Sequence, residues 1–263
     1  MSAILFELTA GNSIHAQVEL AAEWGFAAFC DPGLLQRPRN DRLATLNAML
    51  SRGLMIAPPR GPAAQTAADL RRWTHDVVRA MDQLAGWNLS GLRVDYGPLT
   101  HEWTSSGADF RRVWRTQLAR LADSAQRRKL VIFLEPWDDG RAGLDAFTSA
   151  AECVLEMQHP ALRLSMDTYG LAAAGFDLAS IFAKYAHMIG HVELADFPGG
   201  CEPGTGALPI VTCLRHLLDS GYAGVIGLRH GNSQPGPAGE RAVRRACDKL
   251  RSRLGGGFAT SVV

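Results

Sequence analysis

The chain has 263 residues, 47% of them hydrophobic, and a formal net charge of +1. That length suits one large α/β domain with a sizeable core, and the near-neutral balance excludes a basic surface for nucleic acid or anionic lipid. Five cysteines in no CxxC pair argue against a disulfide framework or a zinc knuckle, so a reducing cytoplasm is the expected location.

The start, MSAILFELTAGNS, lacks the basic region and long apolar run of a secretory signal. No window reaches about 18 uninterrupted apolar residues, so no membrane-spanning helix is expected. The first apolar run, 3–8, reads as a strand. Helix 14–24 follows, capped by Asn12 or Ser13 and stopped by Gly25. Strand 26–30 leads to helix 41–52, which ends at Gly53. Strand 54–57 leads to helix 67–85, where Thr66 is the candidate cap and Leu70, Trp73, Val77, Met81 and Leu84 recur at helical spacing. Strand 91–96 and helix 108–127 form the fourth unit.

LVIFLE (130–135) is the most distinct strand of the chain, followed by helix 142–157. Strand 162–167 precedes helix 177–187, and strand 191–195 precedes helix 208–220. Strand 224–229 and helix 239–253 complete the series, and 255–263 reads as a flexible tail. Eight βα units in this length have the rhythm of a (β/α)8 barrel occupying residues 1–254 as a single domain. A doubly wound open sheet is the competing fold, but no GxGxxG follows the first strand to support it.

In a (β/α)8 barrel the active site lies at the C-terminal ends of the strands. Strand 5 ends in Glu135, strand 6 in Asp167 and strand 8 in Arg229, while strand 7 carries Glu193. Alternation puts Glu193 on the face of His191 and Asp95 on the face of Arg93. Each acid alone reads equally well as a helix cap or a solvated end. Four charged groups at equivalent places in successive units point instead to one shared cavity. Three adjacent carboxylates need positive charge to remain ionised. A divalent cation with oxygen ligands, magnesium or manganese, would supply it, and so would Arg229 itself.

IGHVELADFPGGCEPGTG (189–206) resembles the strand-7 motif of hydroxypyruvate isomerases, in the xylose-isomerase-like superfamily of sugar isomerases and epimerases. LEPWDD (134–139), MDTYG (166–170) and GYAGVIGLRH (221–230) fall where that family has its other site strands. The resemblance covers residues 130–230; the first half matches in rhythm only. It implies a metal-assisted proton shift between neighbouring carbons of a small hydroxy-carbonyl compound, a hydroxypyruvate-like ketoacid or a sugar. It also implies a homodimer or homotetramer. The family's metal ligands carry over to Glu135, Asp167 and Glu193, and its fourth, a catalytic glutamate, to Arg229.

Departures from that pattern alter the expected chemistry. Arginine stays protonated and is no general base, so shuttling between two glutamates is lost at Arg229. Gly170 stands where many relatives have histidine, Gly200 where arginine is common, Ala207 at the closing glutamate and Cys30 at an acid. Two accounts stay open. In one, a metal sits on Glu135, Asp167 and Glu193 while Arg229 clamps a substrate oxygen. In the other, no metal binds, Arg229 replaces the cation, Glu135 is a lone base, and His191 or His230 returns the proton.

The candidate catalytic residues are therefore Glu135, Arg229 and His191, with Arg229, Asp95 and Trp137 as candidate substrate contacts. Glu7 would cap or solvate, and Cys201 would line the pocket. The Gly/Pro loop FPGGCEPGTG (197–206) is expected to approach substrate with its backbone or to close as a lid. A DNA-repair nuclease of the same superfamily would need a histidine-rich zinc site, which Gly170 breaks. A non-catalytic barrel binding a small acid or a partner protein is the third reading.

Overall fold

The structure is a computed structural model that describes residues 3–7, 13–63, 70–87, 89–95, 107–136 and 143–255. The expected cap Thr66, the side chain of Glu7, the candidate contact Trp137 and the tail beyond Gly255 lie outside what is described. The strands are β1 (Ala3–Glu7), β2 (Ala28–Phe29), β3 (Met55–Ile56), β4 (Gly91–Asp95), β5 (Val131–Glu135), β6 (Leu162–Asp167), β7 (Ile189–Leu194) and β8 (Val225–Arg229). The helices are α1 (Ile14–Glu23), α2 (Arg39–Ser51), α3 (Leu70–Leu84), α4 (Gly107–Arg127), α5 (Gly143–Met157), α6 (Thr168–Ala173), α7 (Leu178–Tyr185), α8 (Ile210–Asp219) and α9 (Gly236–Leu254).

All eight strands belong to one sheet in the order β3-β2-β1-β8-β7-β6-β5-β4. First and last strands are neighbours: β1 runs parallel to β8 from Ala3 opposite Val225 to Glu7 opposite Arg229. Just past β3, Arg60 bridges to Arg93 of β4, with the Gly61 N–H donating to the Arg93 carbonyl at 2.7 Å. Chain order rotated onto itself is the order of a (β/α)8 barrel and not that of a doubly wound sheet. The strands read as plain apolar runs because both faces of a parallel sheet are covered; all five residues of β4 are buried.

Contacts group the chain into two compact units. The first comprises Met1–Asp31, Pro38–Ala57 and Met166–Val263; the second comprises Pro32–Arg37 and Pro58–Ser165. In the first unit Ala28, Cys30 and Ala57 form a small buried cluster with Val225 against it. Ser13 caps α1 by accepting from the Ala16 N–H at 3.3 Å, and Gly25 ends it at φ 70°, a conformation that costs glycine little.

In the second unit the helical stripe on α3 is buried as its spacing requires: Leu70, Trp73, Val77, Met81 and Leu84 are all in the core. Trp73 stacks on Trp114 of α4 with centroids 5.0 Å apart. Its indole N–H donates to the Pro62 carbonyl at 2.8 Å, so the buried ring keeps a polar partner.

Between β6 and β7 the helices differ from the sequence expectation. Residues 168–173 form α6, which the pattern hides because Gly170 and two alanines carry little hydrophobic signal. The expected helix 177–187 ends at Tyr185 and tightens into a 3-10 turn over Ala186–Met188 that leads into β7.

Candidate functional site

Two clusters of charged side chains stand at the C-terminal ends of strands, one in each unit. In the second unit the register of β4 on β5 sets Asp95 directly opposite Glu135. Like charges placed so closely in a buried wall need compensation. It comes from Arg60: Nη2 donates to Glu135 Oε1 at 2.7 Å, and Nε lies 3.6 Å from Asp95 Oδ1. The Glu135 side chain is only 4% exposed, against 29% for Arg60. Arg93, on the Asp95 face of β4, is buried and donates from Nε to the Pro58 carbonyl at 3.0 Å, which ties the chain after β3 to the strand.

In the first unit Glu193 of β7 has Gly227 of β8 as its cross-strand neighbour. Gly227 contributes no side chain, and Arg229, two residues on, shares its facing. Arg229 Nη1 donates to Glu193 Oε2 at 3.0 Å and lies 3.9 Å from Asp167 Oδ2. Asp167 serves two partners at once. Its Oδ1 caps α6, accepting from the Tyr169 N–H at 3.0 Å and the Gly170 N–H at 3.3 Å, while Oδ2 faces Arg229. The buried His191 sets Nε2 3.9 Å from Glu193 Oε1. The sequence candidates Asp167, Glu193, His191 and Arg229 are thus brought together within the first unit, and Asp95 and Glu135 within the second.

The loop after β7 is knit together by its own carboxylates. Buried Asp196 accepts backbone N–H bonds from Phe197 at 2.9 Å, Gly204 at 2.7 Å and Leu208 at 3.0 Å. A Cβ at Gly206 would fall on the Phe197 carbonyl and within 2.6 Å of Asp196 Oδ1, so that position has no room for a side chain. Glu202, 2% exposed, accepts the Ser233 N–H at 2.9 Å and the Ser233 hydroxyl. The Gly231 N–H donates to the Gly200 carbonyl at 2.8 Å. These bonds fasten the loop to the segment that leaves Arg229. The Gly/Pro composition that reads as a bare strap builds a tightly bonded turn.

Burial works to raise the Glu202 carboxyl, but the Ser233 hydroxyl and N–H outweigh it and hold the group below the usual glutamate range. Burial lowers His230, with partial compensation from the Gly231 carbonyl and Glu202. Its Nδ1 lies 2.7 Å from that carbonyl oxygen. Burial and then the Glu202 charge push the Cys201 thiol up, which makes it a poor nucleophile.

The first-unit donors do not fit a divalent cation. Both carboxylates the resemblance assigns to it, Asp167 and Glu193, face a guanidinium that cannot lose its proton. Among the described residues no group of three or more His, Cys, Asp or Glu side chains is arranged to hold a metal.

Arg60, Glu202 and Ser233 escape a reading of the sequence. Arg60 sits three residues beyond the apolar run LMIA, behind a Pro-Pro pair, so the run looks finished before it. The only signal is a lone charged residue just past a strand end, the same signal that marks Glu135. Glu202 finds its partner 31 residues away, a pairing no local pattern records.

The chain is similar to several known proteins. A Streptomyces coelicolor protein named "Putative hydroxypyruvate isomerase" is 29% identical over 210 residues, covering 73% of this chain and 74% of its own. A Xenopus laevis protein of the same name is 31% identical over 114 residues, 41% of this chain and 42% of its own. Among solved structures, the Escherichia coli 3-keto-D-glucoside 4-epimerase YcjR aligns with a TM-score of 0.74 at 20% identity, over 96% of this chain and 100% of that one. D-psicose 3-epimerase of Clostridium cellulolyticum H10 aligns with a TM-score of 0.77 at 15% identity, over 97% and 99%. These two likenesses are likenesses of fold. The family model Xylose isomerase-like TIM barrel matches residues 18–253, and the chain belongs to that family.

Proposed function

We propose that this chain is an isomerase or epimerase that shifts a proton between neighbouring carbons of a small hydroxy-carbonyl compound, a hydroxypyruvate-like ketoacid or a sugar, with Glu135 as the base. The observation that carries the reading is the buried Glu135 at the end of β5, paired with Arg60 and set beside Asp95. The names of the sequence relatives support the reaction class.

The chemistry needs few parts. The Glu135 carboxylate takes the proton from the carbon next to the carbonyl, and the C–H electron pair moves onto the carbonyl oxygen to give an enediolate. The protonated Glu135 trades its proton with solvent during the life of the enediolate and then delivers one to the neighbouring carbon, while the hydroxyl proton passes to the enediolate oxygen, so one base completes the isomerisation. Arg60 holds the Glu135 carboxylate by its hydrogen bond and stabilises the negative charge that passes to the oxygen. A positioned general base contributes about 10²- to 10⁴-fold in rate.

The test is exchange of solvent deuterium into hydroxypyruvate and a panel of ketoses, followed by proton NMR. Exchange by the native chain that falls about 10²- to 10⁴-fold in E135Q supports the reading. Exchange that E135Q leaves intact removes Glu135 from it. If no compound exchanges but one raises the melting temperature, the chain is a binding barrel and not an enzyme.

A further inference from the structure

We infer that Arg229 is the resident cation of the carboxylate cluster in the first unit and that this one residue keeps divalent metal out of it. Glu193 has a side chain only 2% exposed, and a carboxylate so buried persists only beside a compensating charge. Arg229 supplies that charge through the 3.0 Å hydrogen bond to Oε2. The same nitrogen sits 3.9 Å from Asp167 Oδ2, between the two oxygens a cation would need. Asp167 Oδ1 is committed to the start of α6.

Position 170 adds no donor, being glycine, where a Cβ would already rest 3.4 Å from Asp167 Oδ2. The backbone that carries Arg229 is braced as well. Its strand is in register with β1, and the chain just beyond it is bonded to Gly200 and Glu202.

Charge counting points the same way. Asp167, Glu193 and Arg229 sum to −1; a divalent ion would take the cluster to +1 with two positive centres on the same oxygens. The second unit shows the same substitution independently. Glu135, the remaining ligand the resemblance assigns to metal, is itself gripped by a guanidinium, Arg60. Arg229→Glu would change the sum to −3 and present a third carboxylate beside Asp167 and Glu193.

The experiment is a Mn²⁺ titration of the metal-stripped full chain, with the free ion followed by electron paramagnetic resonance. The native chain is expected to leave the free signal undiminished. R229E, shown folded by circular dichroism, is expected to take up one ion per chain with affinity raised about 100-fold or more, because ligand and charge both change. Adding D167N to R229E should reverse the gain. R229Q, which removes the charge without adding a ligand, is expected to gain a measurable affinity about 10-fold above native, and it carries the test if R229E fails to fold.

A native chain that sequesters one Mn²⁺ and releases it on E193Q overturns the inference. A folded R229E that takes up none, or an R229Q no better than native should R229E not fold, overturns it too. The readout is metal occupancy and not turnover, so the isomerase reading can fail while this one stands, and the reverse.

Discussion

Glu202 shows how much one side chain decides at the scale of the residue. It is a buried carboxylate whose two oxygens both accept from Ser233, with Cys201 and His230 as its titratable neighbours. Its carboxyl is held below the ordinary glutamate range, so the folded chain binds that proton less readily than the unfolded one. The resulting stabilisation is complete above the ordinary glutamate range and is lost as the pH falls through it towards the folded value. The melting temperature of the native chain should therefore drop more steeply from about pH 5 to about pH 3 than that of E202Q, which lacks the titration. Equal slopes in scanning calorimetry would show that Glu202 does not carry the effect. Ser233→Ala leaves the carboxylate short of a hydroxyl and should cost about 1–3 kcal/mol in urea unfolding at neutral pH.

Glu135, Asp167, Glu193 and Arg229 were legible in the sequence as charges at strand ends, because an acid that closes an apolar run contrasts with everything before it. Their partners were not. The Arg60–Glu135 pair spans 75 residues, and the choice of Asp167 as both cap and Arg229 neighbour depends on two oxygens that a sequence writes as one letter.

At the scale of the element, strand packing is set by what a position leaves out. Gly91 opens β4 opposite Val131 of β5. A Cβ there would overlap the Val131 carbonyl oxygen and press within 2.8 Å of the Phe133 ring. Gly91→Ala should destabilise by about 1–3 kcal/mol, as overpacking does, measured by chemical denaturation with an unchanged m-value. Trp114, fully buried against Trp73, is the opposite case: Trp114→Ala leaves a cavity between α3 and α4 and should cost about 3–5 kcal/mol. The α3 stripe was readable because its period of apolar residues is long and regular. The two-residue β2 and β3 were read too long, since a buried loop and a buried strand share the same composition.

For the whole molecule the alternation of eight strands and helices was visible because each strand of a parallel sheet is apolar on both faces and each helix on one. What alternation does not carry is the grouping of the chain into two compact units, since that depends on contacts between residues far apart in sequence. Cysteine chemistry belongs at this scale as well. Burial pushes Cys153 up to about 11 and Cys213 and Cys247 up to about 12, and Cys30 is buried. Cys201 alone among the five is part-exposed. Ellman's reagent should find one thiol per native chain that reacts ahead of the other four, absent in C201S, and five after denaturation. A thiol reacting at that rate in C201S would mean that the core opens more readily than its packing indicates.

The hydrogen bonds from Ser233 to Glu202, with the Gly231–Gly200 bond beside them, carry a practical lesson for anyone engineering this scaffold. Residues 196–208 and 230–233 behave as a matched lock and key cut for each other. Swapping in either segment from another barrel without its mate would strand a buried acid and tilt the backbone that aims Arg229. Chimeras should therefore exchange both segments together.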